Sequence, residues 1–351
     1  MRPAGAARNL VRESLLWKFS PHASACGLFF LWVAKRANWP KLSRMWTTLD
    51  DSLSQLGESP FWHPGERALY WLDIPGRAVL RTRGDIDGRP TVERWDLPTE
   101  PGCMAPARRG GLVIALRDGV YRAAEWGAEL RPLARVDHDI RTMRFNDGKC
   151  DALGRFWAGT INEAKDRANA TLYCLDARGG RAPALRPMAN QATTANGLAF
   201  APDDATVYWA DTAAHRVRAW NWAARVNTLS HERVFQQFDD KPAGWTPASP
   251  LRYEGRPDGA TVDARGHYWA AMFEGGQLLR FAPSGERVAA LATPVQCPTM
   301  PCFGGDDLRT LFVTSARRGR PAAELEERPA SGCVIRMRVD TPGRPVAFFE
   351  D

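Results

Sequence analysis

Residues 196–209, with the sequence NGLAFAPDDATVYW, contain the pattern that decides the fold of this chain. An amide and a glycine come first, followed by a short apolar run, the turn signal Pro202-Asp203-Asp204 and the aromatic pair Tyr208-Trp209. Short apolar runs separated by Gly, Pro and Asp clusters are typical of β-strands joined by tight turns. The stretch therefore predicts two neighbouring strands.

The apolar pair returns along the chain at intervals of 42 to 60 residues. Its strong copies are Tyr70-Trp71, Phe156-Trp157, Tyr208-Trp209 and Tyr268-Trp269, and its weaker copies are Ile114-Ala115 and Phe312-Val313. Repeats of about 40 to 50 residues with several short strands each indicate a propeller. We therefore predict an all-β, six-bladed β-propeller over residues 45–351. The alternative, two β-sandwich domains, would show no common period.

A polar residue precedes each strong pair by 11 to 13 residues: Glu58, Asn146, Asn196 and Asp258. A shared offset predicts a shared position, at the start of the innermost strand of each blade and facing the axis. The alternative is that Asn-Gly and Asp-Gly are simply turn dipeptides. Converging carboxylates would need shifted pKa values or a cation. Oxygen donors suit Ca²⁺, Mg²⁺ or Mn²⁺, and Zn²⁺ with a water shell stays open, so we predict a metal site in the central channel.

The charge of the chain is concentrated in its first 44 residues. The chain has 47 basic and 40 acidic residues, and residues 1–44 hold eight of the basic groups and one acid, which leaves 39 of each in residues 45–351. A body without basic surplus does not favour nucleic-acid binding. Residues 1–44 are interpreted as an N-terminal extension, either disordered, a transit peptide, or preceding a true start at Met45.

Several classes of protein are disfavoured by what the chain lacks. The apolar run 25–34 is too short for a bilayer, which takes about 20 residues, so we expect no membrane partner. The seven cysteines include no C-x-x-C motif. That pattern argues against a disulfide framework and predicts free buried thiols, although Cys297 and Cys302 could pair. We expect a cytoplasmic protein, and the sequence does not indicate its oligomeric state.

Two repeats are longer than the others. Their extra residues fall near 162–171 and in the proline-rich segment 239–255. In propellers such excursions leave from loops at one end of the channel, where they can cap a pocket and set specificity.

The run Gly57-Glu58-Ser59-Pro60-Phe61-Trp62-His63-Pro64 resembles the opening of the gluconolactonase/regucalcin family, which includes senescence marker and luciferin-regenerating proteins. The resemblance extends in the right order to about residue 320. It is carried further by 144–151 with 154–160, 196–202 with 208–211, 257–263 and 302–305. The family is a six-bladed propeller with one divalent ion in its channel. Ser59 stands where Gly is common, a departure expected to matter little.

The resemblance implies roles for individual residues. Glu58, Asn196 and Asp258 match metal ligands, Arg144 and Asn146 match residues that hold a sugar lactone, and Glu163 falls near a substrate-loop acid. Asn146 also lies near the metal by this match. A structural ion pair with Asp147 or Asp151 is the alternative role for Arg144.

These roles imply hydrolysis of a sugar lactone to its aldonic acid. One divalent cation (Ca²⁺, Zn²⁺, Mg²⁺ or Mn²⁺) would polarise the ring carbonyl, water would attack, and Asp258 would act as general base. The sequence contains no G-x-S-x-G, S-x-x-K or P-loop motif, each of which would indicate a different chemistry. A metal-dependent organophosphate or other ester hydrolase and a non-enzymatic calcium-binding propeller are the rival hypotheses.

Overall fold

The computed structural model describes residues 45–180 and 182–351, and the interpretations of residues 1–44 lie outside this range. The described residues form six four-stranded antiparallel sheets and one short α-helix, α1 (Ala322–Glu327). Blade 1 comprises β2 (Gly57–His63), β3 (Ala68–Asp73), β4 (Ala78–Arg83) and β5 (Thr91–Asp96). Blade 2 comprises β6 (Cys103–Pro106), β7 (Leu112–Leu116), β8 (Gly119–Ala123) and β9 (Arg131–Arg135).

The next three blades repeat this order. Blade 3 comprises β10 (Met143–Cys150), β11 (Phe156–Asn162), β12 (Ala170–Asp176) and β13 (Ala184–Ala192). Blade 4 comprises β14 (Ala195–Phe200), β15 (Thr206–Asp211), β16 (Arg216–Ala223) and β17 (Thr228–Gln237). Blade 5 comprises β18 (Arg256–Val262), β19 (Tyr268–Phe273), β20 (Gln277–Phe281) and β21 (Arg287–Ala292).

Blade 6 closes the ring with strands from both ends of the described chain. Its inner strands are β22 (Pro298–Gly304), β23 (Thr310–Ser315) and β24 (Ile335–Arg338), and its outermost strand is β1 (Thr47–Thr48). Thr47 and Thr48 pair with Arg336 and Ile335. Each first strand, from β2 to β22, contacts the first strands of the two neighbouring blades. The prediction of a six-bladed all-β propeller is therefore confirmed, and the two-sandwich alternative is wrong.

The apolar pairs stand in the second strand of each blade because that strand is buried on both faces. Successive side chains of a strand point to opposite faces. Tyr70 accordingly packs between blades 1 and 2, and Trp71 packs between blades 1 and 6. Tyr208 and Trp209 divide in the same way between the neighbours of blade 4. The hydrophobic core is thus six clusters, one between each pair of adjacent blades.

All six cysteines in the described residues are free thiols, so Cys297 and Cys302 do not pair. Cys26 lies outside the described residues. None of the helices in residues 45–180 and 182–351 has the length and apolar character of a membrane span.

Candidate active site

The four predicted polar positions lie near the beginnings of β2, β10, β14 and β18. In each of these strands the register shifts at the same point, where two inner residues oppose one residue of the second strand. Glu58 and Asn196 immediately precede this β-bulge, and Asn146 and Asp258 are its first residues. A bulge bends the strand and redirects a side chain. The Asn-Gly and Asp-Gly dipeptides are therefore bulge elements within strands, and their interpretation as hairpin turns is wrong.

The amides form a hydrogen-bonded chain across three blades. Asn146 Nδ2 donates to Asn196 Oδ1 at 3.1 Å, and Asn196 Nδ2 donates to Thr212 Oγ1 at 2.7 Å. Thr212 in turn donates to the carbonyl of Pro257 at 2.7 Å, beside Asp258. The Asn196 side chain accepts one hydrogen bond through Oδ1 and donates another through Nδ2. These two bonds fix which atom of its amide is the oxygen. Thr212 carries no distinguishing sequence signal, and sequence reasoning missed it.

Three carboxyl groups are buried together at this point. Burial raises the pKa of Glu58 well above its usual range, and the neighbouring carboxylates of Asp258 and Asp147 raise it further. Burial and the Asp147 carboxylate raise the pKa of Asp258 to about 8. Asp147, which sequence reasoning treated only as an ion-pair partner, is 3% exposed. Its Oδ2 accepts a hydrogen bond from the Leu198 amide, whereas its Oδ1 has no partner among the described residues.

This donor set fits a divalent cation. Buried carboxyl groups of like charge hold protons unless a positive charge compensates them, and the amide oxygen of Asn196 adds a third oxygen donor. Within the described residues, no group of three or more His, Cys, Asp or Glu side chains is arranged to hold a metal. The third donor of the set discussed here is an amide, outside those four residue types.

Arg144 stands at the edge of the carboxyl group cluster. Its Nη1 donates to Asn146 Oδ1 at 2.9 Å, and its Nε lies 3.4 Å from Glu163 Oε1. Glu163 also binds Arg117 through two hydrogen bonds of 2.8 and 3.1 Å. Asp151 pairs with Arg155 at 2.7 Å, so the alternative of an Arg144 ion pair with Asp147 or Asp151 is not what the structure contains. The guanidinium of Arg144 is thus held beside the predicted ligands.

Both long excursions lie at this end of the channel. The loop after β11 contains Glu163 and continues to Asn169. The segment 239–255 is held by Lys241, 2.8 Å from Glu274, and by Tyr253, whose hydroxyl lies 2.7 Å from His215 Nε2. Glu274 directly follows β19 and His215 directly precedes β16, so both contacts fall at the end where Asn196 and Asp258 lie.

The opposite end of the channel has a different character. A cavity of about 370 Å³ there is lined by the later residues of all six inner strands and by residues 344–348. We call residues 342–350 the C-terminal strap. It forms backbone hydrogen bonds with Ala264, Pro106 and Gly154, so it crosses several blades. Lys149 lines this cavity, and its Nζ donates to the Ala260 carbonyl at 2.7 Å.

The amino-acid sequence of this chain is similar to those of lactonases and regucalcins. Residues 56–317 match the family model described as SMP-30/Gluconolactonase/LRE-like region. A 6-deoxy-6-sulfogluconolactonase from Pseudomonas putida is 40% identical over 297 residues, 84% of this chain and 95% of the relative. Regucalcin from Danio rerio is 32% identical over 289 residues, 81% of this chain and 90% of the relative.

A solved structure gives the same answer at the level of fold. Regucalcin from Agrobacterium tumefaciens, described as a calcium-binding protein, aligns with a TM-score of 0.75 and 25% identity over 86% of this chain and 96% of that one. The family model spans the five blades that begin with β2, β6, β10, β14 and β18 and continues into blade 6. The chain belongs to the SMP-30/gluconolactonase/LRE-like family.

Proposed function

We propose that this protein hydrolyses a sugar lactone to the corresponding aldonic acid. The observation that carries the proposal is the convergence of Glu58, Asn196 and Asp258 beside the guanidinium of Arg144. Family membership and the lactonase names of two relatives, the sulfogluconolactonase and a sugar lactone lactonase from Bacillus subtilis, support it.

In this proposal Glu58, Asn196 and Asp258 hold one divalent cation. Such a cation supplies Lewis-acid polarisation of a carbonyl and stabilisation of developing negative charge. Its identity is left among Ca²⁺, Zn²⁺, Mg²⁺ and Mn²⁺, because oxygen donors accept several hard cations. The relatives named regucalcin and calcium-binding protein support a divalent cation here.

Three further side chains of the site bind or position the substrate. Arg144 and Asn146 bind hydroxyl groups of the sugar, since a planar guanidinium and an amide offer several fixed donors. Asn146 is already oriented by its hydrogen bonds to Arg144 and Asn196. Glu163 acts through Arg144 as a positioning residue, because its carboxylate fixes one edge of the guanidinium.

Asp258 is the proposed general base. Water adds to the lactone carbonyl carbon and gives a proton to the carboxylate, and the ring C–O bond then breaks. The ring oxygen leaves as a hydroxyl group after it receives the proton that Asp258 took from water, and the carbonyl carbon becomes the carboxyl group of the aldonic acid. Asp258 must be deprotonated to accept the proton from water. Positive charge at the site favours this deprotonated state.

The test uses residues 45–351 stripped of metal, a panel of aldonolactones and each of the four cations in turn. The panel includes gluconolactone, pentonolactones and 6-deoxy-6-sulfogluconolactone. Proton release above the spontaneous rate, restored by a cation, is the expected result. Arg144→Met should lower kcat/KM by about 10²-fold, because the sugar loses a positioned charged donor.

Two results would replace the proposal. Cation binding without lactone opening, combined with hydrolysis of phosphotriesters, would favour an organophosphate hydrolase. Cation binding with neither activity would favour a calcium-binding propeller. The position of Arg144 and Asn146 beside the carboxyl groups argues for an enzyme, because an ion-binding protein needs no substrate-holding donors there.

A further inference from the structure

The cavity at the end of the channel opposite the candidate active site, here called the far-end cavity, has the size of a small-molecule site. Its volume of about 370 Å³ lies within the range of about 300 to 1,000 Å³ typical of such sites. All six inner strands and strap residues 344–348 contribute to its lining. Among the described residues that line it, none is a proposed cation ligand or sugar-binding residue. A ligand in this cavity would therefore contact side chains that the proposed lactonase function does not use.

The wall of the far-end cavity combines aromatic side chains with polar groups. Trp62, Phe200, Phe303 and Phe348 reach it from three blades and from the strap. Aromatic side chains offer large apolar surfaces, and burial of such surface on both partners favours binding. The polar groups require a ligand that is not wholly apolar, because a buried polar group without a partner costs free energy. The lining thus fits an amphipathic molecule.

The charged side chains in the described lining are all cationic, namely Arg108, Lys149 and Arg344. Two of them have carboxylate partners that stand outside the lining. Arg108 Nε lies 3.2 Å from Glu350 Oε1, and Arg344 Nη2 lies 3.8 Å from Asp204 Oδ1. These two arginines therefore have acids of their own, whereas Lys149 does not.

Lys149 is partly buried and donates one hydrogen bond, from Nζ to the Ala260 carbonyl at 2.7 Å. Within residues 45–180 and 182–351, no carboxylate oxygen lies within 4.0 Å of this nitrogen. The carboxyl groups of Asp147 and Glu58 act on it only from beyond that distance, and Asp147 Oδ2 already accepts a hydrogen bond from the Leu198 amide. An ammonium group has three N–H donors. Two donors of Lys149 are thus left for a ligand in the cavity.

The place of Lys149 in its strand shows that blade packing does not require a cation there. Lys149 is the second paired residue after the bulge of β10, and the matching residues of β2, β14 and β18 are Trp62, Phe200 and Thr261. Trp62 and Phe200 pack into the clusters between blades. Placing an ammonium at this level costs free energy unless a partner compensates its charge. A bound anion would be such a partner.

The strap leaves a route into the far-end cavity. It is fixed at one end by the Gly343 amide, which donates to the Leu308 carbonyl at 2.8 Å, and at the other by the Phe349 amide, which donates to the Pro106 carbonyl at 2.8 Å. Between these points, the backbone of residues 344–348 forms no hydrogen bond with other backbone groups of the described chain. This segment can therefore shift to admit a ligand without loss of backbone hydrogen bonds.

We propose that the far-end cavity binds a small organic anion with an apolar body, whose acid group contacts Lys149 and whose apolar part lies among the aromatic side chains of the wall. Hydrophobic carboxylates and sulfonates share the required chemistry. The ammonium binds the acid group through charge-assisted hydrogen bonds, which are stronger than those between neutral groups. The inference does not depend on the proposed lactonase function.

A pair of probes that differ in charge tests the ligand class. Calorimetric titration compares 2-naphthoate with 2-naphthamide, which has the same aromatic body and no charge. Naphthoate should bind at least about tenfold more tightly, because its carboxylate accepts charge-assisted hydrogen bonds. A parallel titration with 2-naphthalenesulfonate decides between carboxylate and sulfonate. Equal affinity for naphthoate and naphthamide, or saturable binding of neither, would overturn the proposal.

Methionine methyl signals locate the bound probe. Met104 and Met300 line the far-end cavity, whereas Met143 is the first residue of β10, at the end of the channel that holds Glu58 and Asp258 and is here called the entrance. In protein labelled with ¹³C at the methionine methyl groups, naphthoate should shift the signals of Met104 and Met300 and leave that of Met143 unchanged. A shift confined to Met143 would place the anion at the entrance and overturn the proposal.

Two matched lysine substitutions test the anion partner. Lys149→Met keeps the length of the side chain and should lower naphthoate affinity by about tenfold or more, while naphthamide affinity stays unchanged. Lys241→Met is the control, because Lys241 pairs with Glu274 at the entrance. It should leave both affinities unchanged. Undiminished naphthoate binding by folded Lys149→Met would overturn the proposal, and if this variant does not fold, the methyl shifts of the wild-type protein decide.

Competition with inorganic phosphate tests the apolar part of the ligand. Phosphate carries the charge without the aromatic body, so it should not displace naphthoate at equal concentration. Displacement at equal concentration would show a simple ion site and overturn the assignment of an amphipathic ligand.

Discussion

The two ends of the central channel are built from the same inner strands and differ in almost every other property. At the entrance, the strands begin with β-bulges that bring together Glu58, Asn196 and Asp258. At the far end, the same strands finish in Trp62, Phe200 and other apolar residues beneath the C-terminal strap. In the proposed function the irregular, polar strand starts serve chemistry, and we expect the regular, apolar strand ends to serve stability.

The largest expected effect comes from Asp258, at the entrance end of β18, and it is compared with the effect of Asp263 at the other end of the same strand. Asp258→Asn should lower kcat by about 10³-fold or more, because it removes the proposed base and replaces a charged cation donor by a neutral amide oxygen while keeping the shape of the side chain. Asp263, just beyond the strand, instead accepts hydrogen bonds from Trp269 and Arg280. Asp263→Asn should lower the melting temperature and leave kcat of the folded protein within about twofold, since Asp263 contacts no part of the site.

Steady-state kinetics and thermal denaturation on both variants measure the two effects. A catalytic loss of equal size at Asp263 would break the division between the ends of the channel. Retention of activity in Asp258→Asn would remove Asp258 from the mechanism.

The second expected effect concerns the strap. Phe349 is fully buried in the cluster between blades 2 and 3, and its amide donates to the Pro106 carbonyl at 2.8 Å. Phe349→Ala should cost about 3 to 5 kcal/mol of unfolding free energy through lost burial and a residual cavity. Chemical denaturation measures this cost, and Phe348→Ala, at a partly exposed neighbour, is the control. Equal costs for the two changes would show that the strap does not stabilise the far end through Phe349.

The difference between the ends also explains what the sequence could predict. The repeated apolar pairs, and the polar residues that precede the strong pairs at a fixed spacing (Glu58, Asn146, Asn196 and Asp258), are local patterns. The number of blades and the positions of the candidate site residues therefore followed from the sequence. The closure of blade 6 by Thr47 and Thr48 rests on a two-residue strand pairing with Ile335 and Arg336 across most of the chain. Such long-range pairing carries no periodic signal. Thr212 and the strap were missed for the same reason, since their importance arises only from contacts between blades.

The third prediction concerns pH and cation removal. Burial and Asp147 raise the pKa of Asp258 from its usual 3.8 to about 8 in the cation-free protein. Between these values the folded state binds a proton that the unfolded state has lost, so the free energy of unfolding should fall as pH rises from about 4 to 8. A divalent cation binds the deprotonated carboxylates, and its stabilising effect should therefore be larger at pH 8 than at pH 6.

Melting temperatures of the stripped protein across this range, with and without Ca²⁺, test the prediction. Asp258→Asn lacks one of the titrating carboxyl groups and should make the profile less steep, while Glu58, whose pKa is also raised by burial, keeps part of the slope. Phe349→Ala, at the other end of the channel, should lower the whole profile without changing its slope. An unchanged slope in Asp258→Asn would show that Asp258 is not a titrating group in this range.

The smallest expected effect isolates the backbone of one bulge. Ser59 has a φ of 50°, in the left-handed region that favours glycine, and its hydroxyl accepts a hydrogen bond from the Met104 amide at 3.0 Å. Ser59→Gly relieves backbone strain of roughly 1 kcal/mol but leaves a buried amide unpaired at a cost of roughly 1 to 3 kcal/mol. A net destabilisation of about 1 kcal/mol is expected from these opposing terms.

Ser59→Ala loses the same hydrogen bond and keeps the strain, so it should cost about 1 kcal/mol more than Ser59→Gly. Denaturant unfolding of the two variants measures the strain directly as the difference between them. Equal stabilities would mean that the bulge carries no strain at Ser59. Because Glu58 precedes Ser59, a loss of cation affinity in Ser59→Gly alone would show that the restricted backbone, and not the hydroxyl group, holds the glutamate in place at the entrance.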